Sequence, residues 1–204
     1  MAESGARLFI VGFESGDAQI LKNIKKGATL EMARNFRRHC RKYGIKVHGD
    51  FIIGLPGETK ETIQKTIDFA KELDCETIQV SLAHAMPGTE LHDSMAAQGF
   101  LKLEALADSG GHQLPHIEYP HLSKAEMMDG VNRFYDEYYF RPRVVWRIVK
   151  EALWDSHERK RLYAEATEFL KLRAERLNWV RKGGEEYTKP MVSVPGASSA
   201  SGND

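Results

Sequence analysis

Two carboxylates and an ammonium group stand where the chain could offer them to a polar ligand. Glu14 follows the apolar run Leu8 to Phe13 and leads into Ser15-Gly16. A carboxylate at such a junction can accept hydrogen bonds from ribose hydroxyls or an amino group. It can equally cap the helix that follows, whose N-terminal amides favour anions. Asp50 opens a second apolar run, Phe51-Ile52-Ile53, and a carboxylate within a buried strand must find a partner or suffer desolvation. Lys26 lies twelve residues after Glu14, just before Gly27. Taken alone it reads as a solvated cation at a helix end. In the stretch Gly54-Leu55-Pro56-Gly57-Glu58-Thr59 the glycines let backbone approach a flat or anionic ligand closely, because no Cβ intervenes. A third junction runs from Val80-Ser81-Leu82 to Met86-Pro87-Gly88-Thr89.

Three strand-to-loop junctions with special residues after the strand describe one face of a parallel sheet, where ligands bind in both open and barrel α/β folds. Strands are expected over residues 7–13, 46–53 and 77–83. Between them lie a short helix over 17–26 and two longer ones, capped by Thr29 and by Thr59. In the Thr29 helix, Met32, Ala33, Phe36 and Cys40 share one face, leaving Arg34, Arg37, Arg38 and Arg41 largely outside. The first strand is as apolar as a central strand and should need a neighbour on each side, so the sheet looks unfinished. A short helix opens at Pro87 or Thr89 and stops at Gly99. Residues 104–122 read as a long loop, and Ser123-Lys124-Ala125-Glu126 is a capping box that starts a helix through Tyr139. Pro142 breaks that run, further helices cover 144–154 and 157–181, and the tail 183–204 is expected to be disordered. The domain reading is 1–103, 104–182 and 183–204.

Composition bounds the class. The 204 residues are 42% apolar and 28% charged, with 29 basic and 29 acidic side chains, so nothing implies a nucleic-acid partner. Two distant cysteines, Cys40 and Cys75, suit a reducing compartment, and no apolar run approaches ~20 residues, so a cytoplasmic protein without a transmembrane segment is expected. His112, His116 and His121 fit no standard zinc spacing and read as structural or substrate-facing, with no metal ligand expected. Tyr135, Tyr138, Tyr139 and Phe140 read as core packing rather than as a wall against a greasy substrate. The charged helix 157–181 reads as a solvated helix with i,i+4 ion pairs, with peripheral membrane contact as the other reading.

Glu14-Ser15, Lys26-Gly27, Asp50 leading into Gly-Leu-Pro-Gly-Glu-Thr, and Pro87-Gly88-Thr89 together resemble the C-terminal half of a radical S-adenosylmethionine (radical SAM) domain, of the type that carries a cobalamin-binding domain. Residues 7–101 and the Phe140-Arg141-Pro142 run look most similar to the hopanoid-biosynthesis-associated radical SAM protein. The resemblance implies half of a parallel (βα) barrel followed by a helical region, acting on a small-molecule or lipid substrate. It implies S-adenosylmethionine as cofactor, with Glu14 on the ribose hydroxyls, Lys26 on the methionyl carboxylate and Asp50 near the ribose. Ile52, Gly54 and Leu55 would pass the adenine, Ser81 and Leu82 would line the pocket, and Glu58 would fix the loop.

The chain departs from the family at its reactive centre. A [4Fe-4S] cluster is held there by C-x-x-x-C-x-x-C, and no such motif occurs here, nor can Cys40 and Cys75 replace it. A C-terminal fragment, inactive alone, is therefore expected, with cluster and cobalamin belonging to a full-length protein. Met86 also stands where the family has an aromatic residue before Pro-Gly-Thr. The rival readings are a cobalamin-dependent methyltransferase or oxidative cyclase, and a non-catalytic remnant.

Overall fold

The computed structural model describes residues 3–101, 116–154 and 156–182. These form, in order, β1 Leu8–Glu14, α1 Ala18–Asn23, α2 Leu30–Lys42, β2 Lys46–Ile53, α3 Lys60–Leu73, β3 Thr77–Leu82, α4 Glu90–Ala97, α5 Lys124–Tyr139, α6 Pro142–Trp154 and α7 Ser156–Arg181. The expected loop over 104–122 lies outside the described residues as far as 115, with His112, and so does the tail 183–204.

The three strands are parallel, in the order β1-β2-β3, with Gly12 opposite Asp50 and Asp50 opposite Gln79. Side chains alternate across a strand. Val47, Phe51 and Ile53 of β2 are therefore buried beneath the helices, whereas His48, Asp50 and Ile52 stand on the other, open face. Ile63, Ile67, Phe69, Ala70 and Leu73 of α3 close the core with Met127, Val131, Phe134 and Tyr138 of α5. Each fully buried side chain of this size contributes about 1.5–3 kcal/mol. The helices start where the caps predict. Thr29, Thr59, Thr89 and Ser123 each accept a first-turn amide, and Ser123 and Glu126 bond reciprocally.

Several expectations are corrected. Arg37 is buried rather than outside: its guanidinium reaches under α2 to the carbonyls of Leu73 and Asp74 and to Glu76. Met32 is exposed, and Phe36, also partly open to solvent, meets the Phe9 ring of β1 at 5.8 Å, whereas Cys40 is buried. Pro142 opens α6 at its first position, where a missing N–H is harmless. The α7 helix is not merely solvated. Arg173 forks onto Asp136, Phe169 meets the rings of Tyr135 and Tyr139, and Trp179 is buried. In keeping with the expected unfinished sheet, the first strand is an edge strand: among the described residues nothing pairs beyond it, and Leu8 and Ile10 are exposed. No described helix is long and apolar enough to cross a membrane.

Candidate functional site

The end of β1 is the most constrained backbone on the open face. The register slips between Gly12 and Glu14, and the Ser15 N–H donates to the Phe13 carbonyl at 2.8 Å, closing a tight turn centred on Glu14. Glu14 accordingly has φ +64°, a conformation that penalises a side chain by about 1–3 kcal/mol. The turn folds its carboxylate back over Gly12. A Cβ at Gly12 would overlap Glu14 Oε1 and lie 3.3 Å from Lys26 Nζ, so a side chain there would displace the carboxylate from this position. Lys26 Nζ donates to Glu14 Oε1 at 2.7 Å, and both side chains keep partial solvent access. Gly16 is needed for a second reason. Its backbone packs directly on α3, where its N–H donates to Thr66 Oγ1 at 2.9 Å, and this fixes the turn from behind.

Asp50 stands on the neighbouring strand, in register with Gly12 and therefore beside the Glu14–Lys26 pair. Its Oδ1 is shielded from solvent and makes no hydrogen bond; His48 Nε2 is 3.1 Å away but not aligned with it. On its other side the His48 ring meets Thr77 Oγ1 through Nδ1 at 2.6 Å. The line Thr77–His48–Asp50 thus crosses from β3 to β2 toward Glu14. Sequence reasoning singled out neither His48 nor Thr77. The available signal is that His48, two residues before Asp50, must share its face.

Of the other expected residues, Ile52 and Ser81 are Cα partners on the open face. Leu82 is not beside them. It is buried on the helix-covered side, because adjacent residues of a strand cannot share a face. Leu55 is likewise in the core. Gly54, with φ +90°, begins the loop after β2, and that loop is held from inside. Glu58 is fully buried, and its Oε2 accepts from the N–H of Gly54 and, at 3.3 Å, from that of Leu55. Tyr119 donates its hydroxyl to the Gly54 carbonyl at 2.9 Å, and His121 Nε2 donates to the Glu58 carbonyl at 2.9 Å. Desolvation pushes the Glu58 carboxyl up to about 7 against the lowering effect of the two amides. Glu58 therefore shapes the loop, as expected of it. Two of the three histidines serve backbone groups, since His116 Nε2 accepts the Ala85 N–H at 2.9 Å. Met86 is exposed, and its carbonyl accepts the Thr89 hydroxyl at 2.7 Å.

The open face can hold a ligand that carries a diol or amine together with an anionic group. Glu14 and Asp50 supply acceptors, Lys26 a point charge, and Ile52 an apolar contact between them. S-Adenosylmethionine has such a donor and acceptor set. An iron–sulfur cluster does not fit this chain. Such a cluster needs several thiolates, and the only two cysteines are buried in the core, where desolvation raises both thiols, Cys75 up to about 12.

A model of the radical SAM superfamily matches residues 1–70. An uncharacterized methyltransferase of Pyrococcus horikoshii is 30% identical over 156 residues, covering 74% of this chain and 33% of that protein. Cytidylyl-2-hydroxyethylphosphonate methyltransferase of Streptomyces wedmorensis is 37% identical over 111 residues, covering 51% of this chain and 21% of that protein. The chain thus spans a third or less of these relatives' length. Among solved structures, the radical S-adenosylmethionine methyltransferase TsrM from Kitasatospora setae, determined with cobalamin and a [4Fe-4S] cluster bound, superposes with a TM-score of 0.55 at 20% identity. That alignment covers 89% of this chain and 41% of TsrM, and it establishes a shared fold. By the family match over residues 1–70 and by these relatives the chain is similar to the radical SAM superfamily, and with TsrM it shares the fold.

Proposed function

We propose that this chain provides the S-adenosylmethionine-holding face of a radical SAM methyltransferase. The observation that carries the reading is the Glu14–Lys26 pair folded over Gly12 at the end of β1, with Asp50 of β2 in register with Gly12. In this reading Glu14 accepts the ribose hydroxyls, and Lys26, now paired with Glu14, also meets the methionyl carboxylate. Asp50 brings its Oδ1, which makes no hydrogen bond, to the ribose, held in place beside His48. Ile52 and Gly54 pass the adenine, Ser81 lines the same face, and Leu55 and Leu82 support it from the core. Residues 1–103 are then part of a (βα) barrel and residues 104–182 an appended helical region.

Bound S-adenosylmethionine supplies the methyl or radical chemistry, while the polypeptide orients and shields it. The two buried cysteines of this chain do not fit an iron–sulfur cluster. Methyl transfer is supported by the methyltransferase names of two relatives. The narrower reading, an enzyme of hopanoid lipid biosynthesis, is supported by the sequence resemblance over residues 7–101 and at Phe140-Arg141-Pro142.

Equilibrium dialysis of the chain against S-adenosylmethionine tests the site. Losing a charge-assisted hydrogen bond costs ~1.5–3 kcal/mol, roughly ten- to a hundredfold in affinity. Glu14→Ala, Lys26→Ala and Asp50→Ala should each weaken binding by that factor. Glu90→Ala, which removes an exposed pair with Lys25, should not. Equal affinity in all four variants would overturn the assignment.

A further inference from the structure

Helix α6 is amphipathic in the wrong sense for a helix lying on a protein core. Val144 is completely buried against the body of the protein, but the opposite face is also apolar. Val145, Trp146, Val149 and Leu153 are 43%, 65%, 41% and 67% exposed. At 100° per residue these four fall within one arc of about 100°, the width of a core-facing stripe. Phe140, just before the helix, is 58% exposed. Solvated residues scattered singly need no explanation, but a contiguous stripe with a tryptophan in it marks an interaction surface.

The charges beside the stripe say what covers it. Arg143 and Lys150 are exposed along one flank of α6. At the helix start the flank joins a cluster in which Arg41, Arg141, Arg143 and Arg147 all approach Asp74, at 3.3–3.4 Å, and Arg37 pairs with Glu76. Among the described residues, four guanidiniums thus share the single Asp74 carboxylate, whereas Arg37 is buried beneath α2. Protein–protein interface cores are depleted of charge, whereas apolar side chains, an interfacial tryptophan and bordering cations together suit an anionic lipid surface.

We infer that α6 lies in the headgroup layer of an anionic membrane, with Val145, Trp146, Val149 and Leu153 in the acyl boundary and the exposed Arg143 beside the lipid phosphates. Contact of this kind belongs to α6, not to α7, whose Arg173, Phe169 and Trp179 dock on the protein. The inference is independent of the S-adenosylmethionine site.

Co-sedimentation of the chain with vesicles tests it, using phosphatidylcholine alone and phosphatidylcholine with about one third phosphatidylglycerol. The protein should pellet with the anionic vesicles only, and less so in roughly 0.5 M salt, where the Debye length is a few ångströms. Arg143→Gln should weaken partitioning roughly fivefold, and Val149→Asp should abolish it. These positions face solvent, so an unchanged thermal melt shows that folding is retained. Equal recovery on both vesicles, or wild-type recovery for Val149→Asp, would overturn the inference. So would a dimer in light scattering that Val149→Asp splits without any vesicle binding, because the stripe would then be a protein interface.

Discussion

The Tyr135 hydroxyl accepts the Val80 backbone N–H at 3.0 Å, from a helix packed alongside the outer edge of β3. One turn on, Tyr139 does the same for Ile78, also at 3.0 Å. An edge strand ordinarily leaves these groups bare. Here two phenols of α5, stacked with ring centroids 6.2 Å apart, take the place of a fourth strand.

Each phenol should therefore be worth more than its packing. In Tyr135→Phe or Tyr139→Phe the partner amide is left unsatisfied, a loss of about 1–2 kcal/mol. Hydrogen exchange at Val80 or Ile78 should accelerate in the matching variant. Tyr163→Phe, at a residue 76% exposed, is the control and should change neither. Unaltered exchange at both amides would mean that the hydroxyls are incidental.

Glu58 makes stability depend on pH. Its folded pKa of about 7 stands above the ordinary 4.5, so the native state binds the proton more tightly than the unfolded chain. The contribution is complete below pH 4.5 and is lost as pH rises through about 7, and the full shift corresponds to about 3 kcal/mol. Glu58→Gln keeps an acceptor for the Gly54 and Leu55 amides but cannot ionise. Urea midpoints of the parent should fall between pH 5 and 8 by more than those of the variant. Parallel curves would rule out Glu58 as the group responsible.

Glu14 should trade stability for binding. Glycine tolerates φ +64° without penalty, and the pair lost with Lys26 is partly exposed, worth at most about 1 kcal/mol. Glu14→Gly should therefore melt at the parent temperature or about 2–4 °C above it, while S-adenosylmethionine affinity falls. A lower melting temperature would show that the turn is not strained.

Two arginines of α2 should differ sharply. Arg37 is buried and bonded to two carbonyls and Glu76, so Arg37→Ala should cost about 3 kcal/mol or more. Arg34 bonds to Glu72 with both side chains well exposed, and its loss should cost under about 1 kcal/mol. Chemical denaturation of both variants decides, and similar losses would refute the distinction.

Much of this was legible in the sequence because it is local. The caps at Thr29, Thr59 and Ser123, the strand over 46–53 and the positions of Glu14, Lys26 and Asp50 all follow from periodicity and from residues near the element ends. What was not legible depends on register or on distant carbonyls. Thr77 meets His48 only because β3 is set against β2 at that offset. Arg37 looks solvent-facing on a helical wheel until the end of α3, 36 residues away, presents its carbonyl. For α6, a wheel identifies the apolar stripe but not the side on which the protein lies; Val144 settles that only in three dimensions. The same holds for Leu82, whose neighbour Ser81 faces the other way.

The two margins of the sheet are chemically unlike, one sealed by phenols and the other, along β1, open among the described residues. Any further strand, from whatever polypeptide, can join on one side only. It would then lie directly beside Gly12 and the Glu14–Lys26 pair, at the rim of the face where a ligand would enter. Assembly and the proposed site are thereby tied together: whatever docks along that margin also borders the Glu14–Lys26 pair and limits its access to solvent.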